Sequence, residues 1–213
     1  MRIYAVTPIS VGPAELARRQ ARYDALCPPG VQVELHDLGP RAPRALDTDE
    51  QVRQSEALVI EALTAAPDGF DALLPDCVLD PGVAQLAGKL PVPVLGLLRI
   101  SLGWTVLTGR STGAVARNRA IAAEIVARSE AYGWTSSLCG VEVLDLDVRA
   151  IADAGRWAVA LEGAVRRLTA AGARTVVNGC SAVELPPAGP TAPVRLVDPT
   201  ALALRLIAAG ELR

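Results

Sequence analysis

The sequence predicts an α/β protein built from repeated strand–helix units around mainly parallel sheets. Short β-branched runs alternate with longer alanine-rich segments of helical spacing, the pattern such units leave in a chain. Several of the helical segments open on residues that start helices. Two segments also share one layout, an apolar strand closing on cysteine and then a helical run, which suggests an internal duplication and two related lobes.

In chain order, RIYAVT (2–7) reads as the first strand and 13–26 as the helix after it. VQVELHDL (31–38) is the second strand, followed by a helix over 49–66, and DALLPDC (71–77) is the third, closing on Cys77. Asp80-Pro81 opens a helix over 81–88, because aspartate caps free amide groups and proline is pre-set for the first helical position. PVLGL (93–97) and WTVLTG (104–109) read as strands, and 112–131 as a helix. CGVEVLDL (139–146), a helix over 149–171 and RTVVNGC (174–180) follow, the last closing on Cys180. VRLVD (194–198) is the final strand, and Asp198-Pro199 repeats the helix-opening device for 199–208.

Ligands of open parallel sheets bind at the carboxyl ends of strands, so Cys77 and Cys180 occupy equivalent, ligand-facing places; if the lobes face each other, so do the thiols. Cysteine is also a common small buried hydrophobe. The flanks argue against that reading: Asp76 before Cys77, and Asn178-Gly179 and Ser181 around Cys180, are polar and turn-forming.

Composition narrows the function classes. With 213 residues, 51% of them apolar, a sizeable core is available without disulfide staples. The 21 basic and 23 acidic residues leave a formal charge of −2 with no basic block, which argues against a nucleic-acid partner. Lys89 is the single lysine, so Schiff-base chemistry has almost no candidates. The amino-terminal apolar run ends at Pro8, too short for an export signal or a membrane span. A cytoplasmic location without membrane association is therefore expected, with Cys27, Cys77, Cys139 and Cys180 reduced.

The cysteine spacing fits no zinc pattern, and the single histidine, His36, rules out multi-histidine clusters and leaves a Ser/His/Asp triad dependent on one strand residue. Neither a metal nor an organic cofactor is expected. Strand alternation puts His36 opposite its apolar neighbours, on the solvent side, while Cys27 and Cys139 lack a partner motif and read as structural.

DCVLDPGV (76–83) resembles the cysteine–aspartate–proline–glycine segment of hydantoin racemases, and NGCSAVEL (178–185) resembles the second cysteine segment of the aspartate/glutamate/hydantoin racemase superfamily. The resemblance spans nearly the whole chain: VTPIS (6–10) matches the first-strand loop, PVLGLLRIS (93–101) the inter-lobe crossing, VLTG (106–109) the strand after it, and RLVDP (195–199) the return to the first lobe. It implies two pseudo-symmetric α/β lobes with the site in the cleft, lobe 1 being 1–97 plus 190–213 and lobe 2 being 98–189.

The chemistry it implies is cofactor-independent proton exchange at a carbon next to a carbonyl or carboxyl group, with one thiolate as base and the opposite thiol as acid. Inversion by deprotonation and reprotonation needs proton-transfer groups on both faces of a planar intermediate. A thiol is little ionised at neutral pH, so amides of a strand-to-helix turn aimed at the sulfur favour the thiolate, and both cysteines precede an expected helix start. Thr7, Pro8, Ser10, Thr108, Gly109 and Ser181 are the implied substrate-binding residues, with the amides and hydroxyls of Thr7, Ser10, Thr108 and Ser181 stabilising developing charge. For the hydroxyl residues the competing role is ordinary capping.

Two departures bear on the substrate. Thr7-Pro8-Ile9-Ser10 stands where many hydantoin racemases carry an asparagine-rich loop, and Arg99 stands in the crossing segment where relatives carry an acidic or small residue. An arginine there can clamp a carboxylate, or serve as a solvated loop charge. Asp76 beside Cys77 would raise its thiol pKa, the wrong direction for a resting base, unless its carboxylate faces away. The implied partner is a small molecule bearing a carboxylate or a cyclic imide or ureide, and a homo-oligomer is implied as well. Maleate-type cis–trans isomerisation, arylmalonate-type decarboxylation and a non-catalytic binding protein are the alternatives.

Overall fold

The computed structural model describes residues 1–185 and 194–210. The chain divides into two compact units, residues 1–97 with the segment from Thr200 onward, and Leu98–Pro199. This division differs from the expected lobes at 194–199, which belong to the second unit; 190–193 lie outside the described residues. Each unit is a wholly parallel sheet with helices connecting its strands, the α/β layering that the alternating pattern required.

In the first unit β1 (Arg2–Val6) lies between β2 (Gln32–His36) and β3 (Ala72–Pro75). Ile3 and Ala5 pair with Val33 and Leu35 on one side and with Ala72 and Leu74 on the other. The connections are α1 (Pro13–Leu26) and α2 (Asp49–Thr64), with α3 (Val83–Leu86) after β3 and α7 (Pro199–Ala208) returning at the end. Thr48 opens α2 through a capping box with Gln51, which satisfies amides that a helix start leaves unpaired. From that start Val52, Ser55, Val59 and Leu63 recur on one buried face, and Val59 and Leu63 pack with Val6, Leu73 and Leu86.

In the second unit β4 (Thr112–Ala116) lies between β5 (Leu138–Val143) and β6 (Thr175–Asn178), and β7 (Arg195–Val197) pairs with β6. Its helices are α4 (Leu97–Leu107), α5 (Arg119–Ala131) and α6 (Ala154–Ala170). Asn118 caps α5 by accepting from the Ile121 amide at 2.9 Å, and Asp153 caps α6. Trp157, Leu161, Ala164 and Leu168 of α6 form one buried stripe against Val115 and Val176. Gly113 makes room for it, since a Cβ there would stand 2.8 Å from a Leu168 methyl.

Four expected elements are corrected. WTVLTG, expected as a strand over 104–109, is helical through Leu107, because Leu97, Leu98, Ser101, Leu102 and Thr105 form a buried stripe of helical period that overrides the local β-branched run. The expected helix 112–131 instead begins as β4: its small residues are buried on both faces of a central strand, and helix starts only beyond the Asn118 cap. Segment 93–97 contributes a single bridge, Leu73 to Val94. The helix expected over 81–88 shrinks to four residues, since Asp80 and Gly82 both take left-handed backbone conformations.

Candidate active site

At the carboxyl ends of the first sheet, three strand exits are tied together by backbone bonds. The Thr7 amide donates to the His36 carbonyl at 2.9 Å, and the Asp76 amide to the Val6 carbonyl at 2.8 Å. The loop after β1 is then held by Asp37, whose carboxylate accepts from the Val11 and Gly39 amides at 3.2 and 3.1 Å and lies 3.3 Å from the Thr7 hydroxyl. Thr7 is fully buried and donates to the Ile9 carbonyl at 2.8 Å, while Ser55 of α2 donates to the Pro8 carbonyl. The Ser10 amide donates to Pro43. Thr7, Pro8 and Ser10 thus form one fixed loop at the same sheet edge as Cys77.

Cys77 is buried in a tight turn: its amide donates to the Pro75 carbonyl at 2.7 Å, and its own carbonyl accepts from the Asp80 amide at 3.2 Å. Strand alternation turns Asp76 to the face of α1. There, at 2% exposure, its carboxylate accepts from the Tyr23 hydroxyl at 2.9 Å and pairs with Arg19 at 3.3 Å; Arg19 in turn binds Glu15 at 2.8 Å. Burial, then the neighbouring Asp76 charge, pushes the Tyr23 phenol well above its ordinary pKa, so it stays a donor. Burial also pushes the Glu15 carboxyl up, but the Arg18 and Arg19 hydrogen bonds outweigh it and hold the group below the usual glutamate value. The Asp76 carboxylate is therefore engaged with Tyr23 and Arg19 of α1.

In the second unit Asn178 ends β6, and Gly179 carries the chain so close to β4 that a Cβ would lie 2.0 Å from the Val115 carbonyl oxygen. Only glycine fits this approach. The half-buried Cys180 follows, then Ser181 at 5% exposure. The Asn178 side chain, 1% exposed, accepts from the Trp157 indole N–H at 3.2 Å and donates to the Cys180 carbonyl at 2.8 Å. On the neighbouring strand Arg117 is buried just past β4 and donates to the Leu146 carbonyl at 3.1 Å.

The helix start expected after each cysteine takes another form. Cys77 is separated from the four-residue α3 by the turn through Gly82, and Ser181 and Ala182 form a turn that leads to the irregular segment 183–185. Turn amides, and not a helix terminus, neighbour both thiols in the chain. Arg99 lies exposed in the first turn of α4. Thr108 and Gly109 follow the end of that helix, where the Thr108 hydroxyl donates to the Trp104 and Thr105 carbonyls and Gly109 takes φ +63°, which is capping geometry.

His36 stacks on Tyr4, and its Nε2 lies 3.3 Å from Glu34. Cys139 packs on the second core, and burial raises the Cys27 thiol pKa. Among the described residues no disulfide forms, no group of three His, Cys, Asp or Glu side chains is placed to hold a metal ion, and no helix is long and apolar enough to cross a membrane.

Sequence reading missed Asp37, Ser55, the Arg19–Tyr23 pair and Trp157. Two of these left a signal. Asp37-Leu38-Gly39 has the form of an aspartate-anchored turn, and Glu15, Arg19 and Tyr23 recur at intervals of four along α1.

Fold and site together define a parallel α/β protein of two units, each presenting a cysteine just past the carboxyl end of a buried strand. The sequence matches the Asp/Glu/Hydantoin racemase family over residues 15–207, and the chain belongs to that family. Among solved structures it is similar to allantoin racemase from Pseudomonas fluorescens, with a TM-score of 0.81 at 17% identity over 98% of this chain and 90% of that one. Allantoin racemase from Klebsiella pneumoniae gives 0.76 at 18% over 98% and 86%. A maleate cis-trans isomerase from Nocardia farcinica, with a covalently bound succinylcysteine intermediate, gives 0.62 at 18% over 98% and 91%. At these identities the likeness is one of fold. No curated protein sequence matches this one.

Proposed function

We propose that the protein is a cofactor-independent racemase or epimerase in which Cys77 and Cys180 exchange protons with a carbon next to a carbonyl or carboxyl group. One thiolate takes the α-proton to leave a planar enolate, the other thiol gives its proton to the opposite face, and the two sulfurs end with their protonation states exchanged. The observation that carries this reading is the paired placement: in a family of racemases, each unit sets one cysteine in a turn just past a buried parallel strand. The Ser10 hydroxyl and the hydroxyl and amide of Ser181 are the proposed donors to the enolate oxygen, the Thr7 and Ser10 amides being engaged by the His36 and Pro43 carbonyls. Arg99 is the proposed carboxylate partner, whereas Thr108 and Gly109 are left to cap α4.

The substrate class is a small chiral carboxylate, imide or ureide, and the allantoin racemase likeness puts allantoin first among those to try. A reducing, cytoplasmic setting and a homo-oligomer complete the proposal. The experiment is proton NMR in deuterated water with allantoin, 5-substituted hydantoins, amino acids and 2-substituted dicarboxylates, on the wild type, Cys77→Ser and Cys180→Ser. Wash-in of deuterium at the α position that both substitutions suppress supports the two-thiol reaction. Saturable binding without exchange would reduce the chain to a binder, and a covalent cysteine adduct with maleate would move it to cis–trans isomerisation.

A further inference from the structure

The Asn178 side chain is chemically oriented by its neighbours. Indole N–H groups only donate, so the Trp157 contact must be to the amide oxygen, which turns the amide nitrogen to the Cys180 carbonyl. Both side chains are 1% exposed, and Trp157 sits in the first turn of α6, whose start is fixed by the Asp153 cap and by the Trp157 amide donating to the Asp153 carbonyl at 3.1 Å. Gly179 lies against β4 on the other flank. The backbone of Cys180 is thus gripped from α6 through Asn178 and from β4 through the Gly179 contact.

Peptide planarity extends this grip by one residue. The Cys180 carbonyl and the Ser181 N–H belong to one trans peptide and point in opposite directions. By holding the carbonyl toward α6, Asn178 sends the Ser181 N–H away from α6.

We propose that Trp157 and Asn178 are positioning residues: a neutral relay that sets the Cys180–Ser181 peptide and keeps the Cys180 thiol half-buried in its working orientation. The inference rests on Cys180 being a proton-transfer group, and its test has one readout independent of that. Iodoacetamide labelling of the full-length protein is followed at Cys180 and Cys77 separately by peptide mass spectrometry, at a temperature well below unfolding. Asn178→Leu keeps the size and adds no charge but cannot donate to the Cys180 carbonyl; Trp157→Phe keeps the ring and loses the N–H. Losing one such hydrogen bond corresponds to about fivefold, so labelling of Cys180 relative to Cys77 should rise about fivefold in Asn178→Leu and less in Trp157→Phe.

Where exchange activity is found, the same variants should lower kcat by about tenfold with KM little changed, because the orienting bond acts on the reacting groups and not on substrate capture. An unchanged Cys180 to Cys77 labelling ratio overturns the relay, whatever the activity. A rise of both cysteines together overturns it too, since that is general loosening. Absence of exchange in the wild type, with the ratio shifted as expected, leaves the relay standing and sinks the racemase reading instead.

Discussion

The two strand exits that carry the cysteines are held from behind by different chemistry. Behind Cys77 an ionic chain runs from Glu15 through Arg19 to Asp76, with the Tyr23 hydroxyl as a second donor to the buried carboxylate. Behind Cys180 the hold is uncharged, an indole and an amide. In both units an aromatic residue of a sheet-packing helix donates to a polar residue one or two positions before the cysteine. The difference teaches what each hold is sensitive to. An ionic chain in the interior costs much when one member is removed, and its outer carboxylate titrates; a neutral relay costs less and ignores pH.

That contrast can be broken in graded steps. The largest expected effect is Gly179→Ala, because the new methyl meets a backbone oxygen that cannot swing aside; a loss above about 5 kcal/mol is expected from urea unfolding, with no comparable loss from Gly12→Ala, where a Cβ meets nothing. Next is Arg19→Met, which leaves the Asp76 carboxylate buried without its guanidinium and should cost about 3–5 kcal/mol. Asn178→Leu, which removes the neutral relay, should cost only about 1–2 kcal/mol; a larger loss than from Arg19→Met would reverse the comparison.

The smallest effect is in pH dependence. Glu15 is held below its ordinary pKa in the folded chain, so the unfolded chain binds the proton first as pH falls. Its contribution to stability is present above the unfolded glutamate pKa of about 4.3 and is lost as pH drops through the folded value. Thermal melts should therefore show a shallower acid-side decline for Glu15→Gln than for the wild type. Trp157→Phe should leave that slope as it is in the parent.

Much of the fold was legible because its signals are local and repeated. β1, β2, β3, β6 and β7 fall inside the expected runs, β5 begins one residue before its run, and Cys77 and Cys180 stand past their strands as the turn-forming flanks indicated. α4 and β4 were misread because the deciding term is burial: WTVL alternates like a strand, and TGAVA is small enough for a helix, until packing against the rest of the unit is counted. The supporting shell was mostly hidden for another reason. Trp157 and Asn178 are 21 residues apart, and Tyr23 and Asp76 are 53 apart, so no short motif joins them. Asp76 was legible only as a problem, a charge beside a thiol, and its resolution needed α1.

Chain order makes the second unit an insert and the first its host. Leu98–Pro199 is one uninterrupted stretch, while the first unit is completed only by the chain from Thr200 on. Both junctions fall at first residues of helices, Leu97 of α4 and Pro199 of α7, with no spacer at either. The insert can be excised or exchanged with one cut at each end, whereas the host needs a designed splice from Leu97 to Thr200. Chimeras between relatives of different chemistry are best drawn at these two seams, where one thiol travels with each parent.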